Sequence, residues 1–264
     1  MIIYKTPQEI AIMRESNRIV AKVLTELKVM ARPGVCTRDL DAHAEARARE
    51  LGAVPAFKGY RGYPASLCAS VNEEIIHGIP SERILRDGDI IGLDFGVLFE
   101  GFYGDAAVTV AVGTVDPRAQ RLIAVAEEAF YKGIEQMKVG SRISDISHAI
   151  QEHVESNGFS VIRSFVGHGI GHSPHEEPQV PNFGPPGRGP KIKEGLTLAI
   201  EPMIAAGDWE EEILEDGWTA VTKDRSLSAH YEHTVAMTVR GVEILSLDKP
   251  GKPPLFSPEG KRYA

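Results

Sequence analysis

Residues 88–94 read GDIIGLD, a short apolar segment that begins at a glycine and ends at an acid, Asp94. Residues 195–201 read GLTLAIE and repeat the pattern, so that Glu201 also lies six positions after its glycine. Short apolar runs of this length are typical of buried β-strands. If the two runs are equivalent parts of a duplicated chain, Asp94 and Glu201 occupy equivalent places, and we expect a site between the halves.

Helical patterns flank both strands and support a duplication. Apolar periodicity with capping and stop signals predicts four helices, over roughly 7–32, 37–52, 117–138 and 144–158. The two pairs keep register, because Gly34 and Gly52 lie 106 positions before Gly140 and Gly158.

The whole chain, residues 1–264, is therefore interpreted as a single domain with an internal repeat. The two halves are expected over roughly 7–115 and 116–245. A C-terminal tail rich in proline is expected over 246–264.

Composition excludes several classes of protein. With 264 residues, 42% hydrophobic residues and 25% charged residues, the chain is expected to bury a sizeable core, which excludes disordered and fibrous classes. Its formal charge of -8 argues against DNA and membrane partners. Two cysteines, and an N-terminus without a signal sequence, predict a cytoplasmic protein.

Asp94 is joined to a second acid, Asp105, by the segment FGVLFEGFYG. This pattern predicts a β-hairpin with its turn near Glu100 and Gly101, which brings the two acids close together on neighbouring strands. A lone aspartate in this setting is more often at a solvent-exposed strand end. A buried pair of carboxylates is costly unless a cation lies between them.

Histidines and further acids accompany this pair. Residues 167–178 read GHGIGHSPHEEP, where His168 and His175 are candidate ligands and His172 is interpreted as a loop residue. Glu201 precedes a proline, and Glu232 enters the apolar strand 235–239.

Four carboxylates and at least one imidazole, with almost no cysteine, suit divalent manganese, iron, cobalt or zinc. More carboxylates are present than one ion needs, which suggests two ions about 3.5 to 4 Å apart with shared carboxylates. Such a pair holds a water at lowered pKa and polarises a carbonyl, the chemistry of amide hydrolysis.

Five segments in order resemble methionine aminopeptidases of type I nearly end to end: 77–80 (HGIP), Asp94 with Asp105, 167–178, 200–203 (IEPM) and 228–234 (SAHYEHT). The resemblance implies the α+β pita-bread (creatinase/aminopeptidase) fold, which is a pseudo-two-fold antiparallel sheet with helices on its outer face and a dinuclear metal site between the halves. It also implies a catalytic domain that removes the initiator methionine when the next residue is small, by means of a hydroxide bridging the two ions.

The resemblance also assigns residues. The expected metal ligands are Asp94, Asp105, His168, Glu201 and Glu232, of which Asp105 and Glu232 are shared between the ions. The expected catalytic residues are His77, His175 and Glu201, the last as proton acceptor, and both histidines contact the substrate amide. The expected pocket for the methionine side chain is lined by Tyr60, Tyr63, Cys68 and Trp218.

The implied cofactors are two divalent ions of cobalt, manganese, iron or zinc, and a further monovalent cation near Asn72 and Ser228. The implied partners are nascent polypeptide N-termini and, transiently, the ribosome, with a monomeric enzyme. Three positions depart from the family pattern, Phe57, Pro174 and His230, where glutamine is usual at the last. None of the three is expected to bind metal, and the first two are expected to touch the pocket.

Three alternative interpretations of the sequence are less consistent with it. Xaa-Pro aminopeptidases and prolidases share the ligand pattern but usually carry an additional N-terminal domain, for which a first helix near residue 7 leaves no room. A non-enzymatic module of the same fold predicts gaps among the five ligands, and none is seen. A generic acidic scaffold explains neither the paired acids nor the glycine-flanked histidine.

Overall fold

A computed structural model describes residues 1–247 of the protein. Within them, the helices are α1 Pro7–Met30, α2 Thr37–Glu50, α3 Pro117–Glu135 and α4 Ile143–Ser156, with a short 3-10 turn at Tyr60–Gly62. The first strands are β1 Val54–Pro55, β2 Leu67–Val71, β3 Glu74–Ile76, β4 Ile90–Phe99, β5 Phe102–Ala111, β6 Ser160–Val161 and β7 Gly167–Gly169. The others are β8 Glu176–Val180, β9 Thr197–Ile200, β10 Met203–Ala205, β11 Glu211–Ile213, β12 Ala220–Thr222, β13 Ser228–His230, β14 Glu232–Thr238 and β15 Gly241–Ile244.

All four predicted helices are present, with ends within a few residues of the predicted ones. α1 begins at a capping box, because the Thr6 hydroxyl accepts from the Glu9 N–H and the Glu9 carboxylate accepts from the Thr6 N–H. The sequence signal and the observed start therefore coincide.

One nine-stranded sheet forms the centre of the molecule, and its pairings are antiparallel. Its strand order is β1-β4-β5-β14-β9-β7-β8, with β2 added on β4 and β15 on β14. The late strand β14 lies between β5 of the first half and β9 of the second half. Two small three-stranded sheets, β13-β10-β6 and β11-β12-β3, were not predicted.

The helices cover one face of the large sheet. Leu93, Phe95 and Val97 of β4 pack with buried residues of α1 and α2. Leu198 and Ile200 of β9 pack with buried residues of α3 and α4. Because successive residues of a strand point to opposite faces, the side chains between them point away from the helices. The predicted α+β architecture, with helices outside an antiparallel sheet, is confirmed.

Of the predicted tail, 246–264, residues 248–264 lie outside the described part of the chain. Ser246 belongs to the fold, because it is buried and its hydroxyl accepts from the Thr234 N–H. No helix among residues 1–247 is long and apolar enough to cross a bilayer.

Candidate active site

The face of the sheet turned away from the helices carries two neighbouring rows of residues across five strands. Residues opposite each other in adjacent strands share a face, so the pairing register of the strands defines each row. In the first row, His168 is opposite Ala199, which is opposite Thr234. The Thr234 hydroxyl donates to the Asp105 carbonyl at 2.8 Å, and Asp105 is opposite Gly96.

The second row lies two residues further along the same strands. Asp94 is opposite Ala107, which is opposite Glu232. Glu201 follows the last paired residue of β9 and so lies beside Glu232. Between them, the two rows place all five predicted metal ligands on one face, separated by small residues that leave space above the sheet.

The predicted hairpin has its turn at Glu100 and Gly101, both with positive φ of 48° and 81°. Asp94 and Asp105 are diagonal neighbours on it, since Gly96 rather than Asp94 lies opposite Asp105. A Cβ at Gly96 would lie 3.2 Å from Asp105 Oδ1 and 2.9 Å from the Phe57 ring. Glycine at this position therefore keeps space free beside the carboxylate.

A cavity of about 190 Å³ opens above the two rows. All eleven predicted site residues line it: Tyr60, Tyr63, Cys68, His77, Asp94, Asp105, His168, His175, Glu201, Trp218 and Glu232. Phe57, expected to touch the pocket, also lines it, whereas four further lining residues were not predicted: Arg61, Ile76, Phe165 and Val166. Pro174 is buried but, within residues 1–247, does not line this cavity as was expected.

The four acids are buried together at an electrostatic cost. Burial raises the pKa of Asp94, Asp105, Glu201 and Glu232, and mutual repulsion between the carboxylates raises it further for Asp94, Glu201 and Glu232. Asp94 Oδ1, Asp105 Oδ1 and Glu232 Oε1 are buried and have no hydrogen-bond partner among the described residues. Unpartnered, buried carboxylate oxygens that line one cavity are suitable ligands for divalent cations.

His168 presents a nitrogen lone pair to the same space. Its Nδ1 lies 2.9 Å from the Gly169 carbonyl, which can only accept, so that Nδ1 carries the proton and Nε2 is free. Nε2 lies 3.3 Å from Glu201 Oε1. Burial, with a smaller effect of His175, lowers the pKa of His168 to about 3, so the imidazole is neutral as a ligand requires. Asp105, His168 and Glu232 offer ligand atoms within 4.8 Å of one another.

His77 and His175 lie on the rim of the cavity, and the His175 ring centroid is 4.4 Å from that of His168. His77 has a positive φ of 62°, a strained conformation for this residue, and its ring packs edge-on against Phe165 and Trp218. Burial, with a smaller effect of His175, lowers the pKa of His77 to about 4. The Tyr60 hydroxyl is 2.9 Å from His175 Nδ1, which orients that ring.

The apolar end of the cavity is built by Tyr63, Cys68 and Trp218. The buried Tyr63 hydroxyl lies within hydrogen-bond distance of the carbonyls of Leu67 and Gly78, at 3.1 and 3.0 Å, and its ring packs edge-on against Trp218. Cys68 lies opposite Asp94 on the neighbouring strand, and burial raises its pKa well above the usual value. The thiol is therefore protonated and acts as a small apolar surface.

His230, one of the three departures from the family pattern, lies close to two of the acids. It is 2% exposed, and its Nε2 lies 3.6 Å from Glu201 Oε2 and 3.9 Å from Glu232 Oε2. His172, interpreted as a loop residue, is exposed and packs against Phe102 outside the cavity.

Comparisons with known proteins match most of the chain. Residues 11–239 match metallopeptidase family M24. The chain is 53% identical over 249 residues to a methionine aminopeptidase of Clostridium perfringens, a match that covers 94% of this chain and 100% of that relative. The crystal structure of a methionine aminopeptidase from Thermotoga maritima superposes with a TM-score of 0.92 at 48% identity, covering 94% of this chain and 100% of that one.

Prolidases are more distant. The prolidase from Pyrococcus horikoshii superposes with a TM-score of 0.77 at 21% identity, and the match covers 94% of this chain but 64% of that one. This likeness shows the fold alone. The predicted pita-bread fold is thereby confirmed.

Proposed function

The chain belongs to metallopeptidase family M24, on its methionine aminopeptidase branch, and from this premise we propose that it removes the initiator methionine from nascent polypeptides when the second residue is small. The observation that carries the proposal is the cavity itself. Four buried acids and a neutral imidazole form its floor, two further histidines lie at its rim, and an apolar pocket closes one end. Prolidases, the alternative, resemble this chain only distantly in sequence.

Two divalent ions are proposed as cofactors, and the donor set fits them. Asp94 would hold one ion, His168 and Glu201 the other, and Asp105 and Glu232 would be shared. Bound there, the ions would supply a Lewis acid for the scissile carbonyl and a positive field that lowers the pKa of water. Their number and their identity as cobalt, manganese, iron or zinc are part of this proposal.

The chain's own side chains handle the protons. Glu201 is proposed to accept the proton that the attacking water loses. His77 and His175 are proposed to contact the substrate amide, where an N–H donor stabilises negative charge on the carbonyl oxygen. The Tyr60 hydroxyl holds the His175 ring in place for this role.

Side-chain selection is assigned to the apolar end of the cavity. Tyr63, Trp218 and the protonated Cys68 present a narrow surface that suits an unbranched thioether. An apolar pocket of this kind discriminates by about 1–3 kcal/mol per methylene, so selection is strong but finite.

Peptide substrates test the proposed function directly. We expect the protein, after metal addition, to cleave the peptide Met-Ala-Ser and to spare Met-Leu-Ser, with no cleavage in excess chelator. Chromatography of the products measures this. Preferential cleavage of Xaa-Pro peptides would instead place the chain with the prolidases.

We propose a monomeric enzyme of the cytoplasm that meets its substrates transiently at the ribosome. A monovalent cation is proposed near Asn72 and Ser228, which are adjacent because the Ser228 N–H donates to the Asn72 carbonyl at 2.8 Å.

A further inference from the structure

The backbone of His230 is held firmly at the end of β13. Its N–H donates to the Thr109 hydroxyl and its carbonyl accepts from the same hydroxyl, both at 2.9 Å. It is also paired with Met203 of β10. The fixed backbone directs the ring toward Glu201 and Glu232.

The imidazole is buried without a partner on the nitrogen that faces the acids. Nε2 has no hydrogen-bond partner among the described residues, although the ring is almost fully buried. A buried polar atom without a partner is energetically costly and uncommon. It indicates that Nε2 has a binding partner that is not a group of the protein itself.

The separations match the edges of a metal coordination polyhedron. Ligand atoms about 2.0–2.2 Å from a shared ion lie roughly 3 to 4.2 Å apart for angles between 90° and 180°. His230 Nε2 is 3.6 Å from Glu201 Oε2 and 3.9 Å from Glu232 Oε2. Both distances are too long for hydrogen bonds, which rules out a direct bond to either acid in this arrangement.

Glu201, His230 and Glu232 each offer a buried ligand atom, and the three atoms lie within 4.8 Å of one another. Nε2 of His168, a proposed ligand, is 3.3 Å from the other oxygen of Glu201, a similar separation. The two imidazoles thus approach the same carboxylate from its two oxygens.

We propose that His230 binds a divalent ion through Nε2, together with Glu201 and Glu232, as a sixth protein ligand of the centre. The inference rests on the proposed dinuclear peptidase. It goes beyond it because the resemblance assigns no ligand at this position, where glutamine is usual. A second imidazole also shifts the preference of the centre from manganese toward zinc, cobalt or iron, since imidazole suits these ions better than an amide oxygen does.

A crystal structure of the cobalt-loaded, full-length protein tests the geometry. We expect an anomalous peak about 2.0–2.2 Å from His230 Nε2. An ion bound by Glu201 and Glu232 but more than 3 Å from that nitrogen would overturn the inference, and it would leave the peptidase proposal intact.

Calorimetric titration of cobalt into two variants tests the energetics. Replacing a metal-binding or metal-supporting group typically costs 10–100-fold in affinity, so His230→Gln is expected to weaken one binding step at least about tenfold. His172→Gln, on an exposed ring outside the cavity, is the matched control and is expected to change nothing. Equal affinity of His230→Gln and wild type would contradict the inference. Failure of the wild type to bind cobalt and cleave Met-Ala-Ser would instead count against the proposed function.

Discussion

Asp105 shows how one residue can be costly for folding and needed for function. Its carboxyl lies in the middle of β5, is buried, and has an oxygen without a partner among the described residues. Burial raises its pKa, so without metal the folded state favours the protonated acid. The free energy of unfolding that this group contributes is therefore fully present below its unfolded pKa, about 3.9, and is lost as pH rises through the raised folded value.

Replacement of Asp105 by asparagine separates the two effects. In chelator at pH 8, we expect Asp105→Asn to unfold at least about 3 °C above wild type, because a cost of about 1 kcal/mol shifts Tm by about 2–4 °C in a domain of this size. The difference is expected to shrink toward pH 5, and peptidase turnover to be lost. Thermal unfolding by circular dichroism measures it.

Glu152→Gln, which removes an exposed acid on α4, provides the control and should leave Tm unchanged at both pH values. An Asp105→Asn variant that is no more stable than wild type at pH 8 would show that the buried carboxylate does not destabilise the metal-free protein.

At the scale of elements, the N-terminal segment before α1 is bound to β8, the strand that follows His175. The Lys5 ammonium forms a buried ion pair with Glu176, the first residue of β8, with side chains only 1% and 6% exposed. The Lys5 N–H also donates to the Gly195 carbonyl at 2.7 Å. The N-terminal segment thus connects the histidine-bearing loop to the centre of the second half.

Removing one partner of this pair is expected to be severe. Lys5→Met leaves the Glu176 carboxylate buried without its cation, and loss of one member of a buried pair costs about 3–5 kcal/mol. Chemical denaturation measures the free energy of unfolding. The double variant Lys5→Met with Glu176→Gln is expected to recover part of the loss.

The half-exposed pair of Lys58 with Glu45 offers a contrast. Lys58→Met is expected to cost no more than about 1 kcal/mol, as is usual for exposed pairs. Equal losses in the free energy of unfolding for Lys5→Met and Lys58→Met would show that burial does not make the Lys5–Glu176 pair more important for stability.

Elements with a strong local pattern could be predicted from the sequence. α1 carries its own capping box, and the β4–β5 hairpin carries alternating residues around Glu100 and Gly101. The small sheets could not be predicted, because β6, β10 and β13 are two or three residues long and pair across distant parts of the chain. Their pairing depends on tertiary contacts rather than on local periodicity.

The same reason explains which site residues were missed. Phe165 and Val166 lie in an irregular segment before β7, with no spacing that indicates a cavity. His230 precedes Tyr231 at the junction of two strands, and only the fold shows that its ring faces Glu201. By contrast, the four acids among the predicted ligands are visible in the sequence because each lies in or at an end of an apolar strand, and His168 because glycines flank it. Their roles as ligands remain predictions from the family resemblance.

At the scale of the whole molecule, the site draws its acids from both halves. Asp94 and Asp105 come from the first half, whereas Glu201 and Glu232 come from the second. The site histidines add little pH dependence near neutrality, because burial lowers the pKa values of His77, His168 and His230 to about 4, 3 and 3. The acids, whose pKa values are raised, must lose protons before ions bind.

Metal should therefore stabilise the whole protein, and more so at higher pH. At 100 times the dissociation constant a ligand adds about 2.7 kcal/mol, which corresponds to a rise in Tm of roughly 5–10 °C. We expect cobalt to raise Tm by about this amount at pH 8 and by clearly less at pH 6. Scanning calorimetry with and without chelator measures the increments, and an increment independent of pH would contradict the coupling.

The central position of β14 also constrains the order of assembly. Residues 232–238 come late in the chain, yet this strand pairs with β5 on one side and β9 on the other. Until it arrives, both neighbours present open edges with unsatisfied backbone groups, which are prone to pairing with other chains. During synthesis the protein must therefore pass through a vulnerable interval in which most of its mass is made and the edges of β5 and β9 are still open. β14 also carries Glu232, so the sheet is completed by the same strand that supplies a proposed metal ligand.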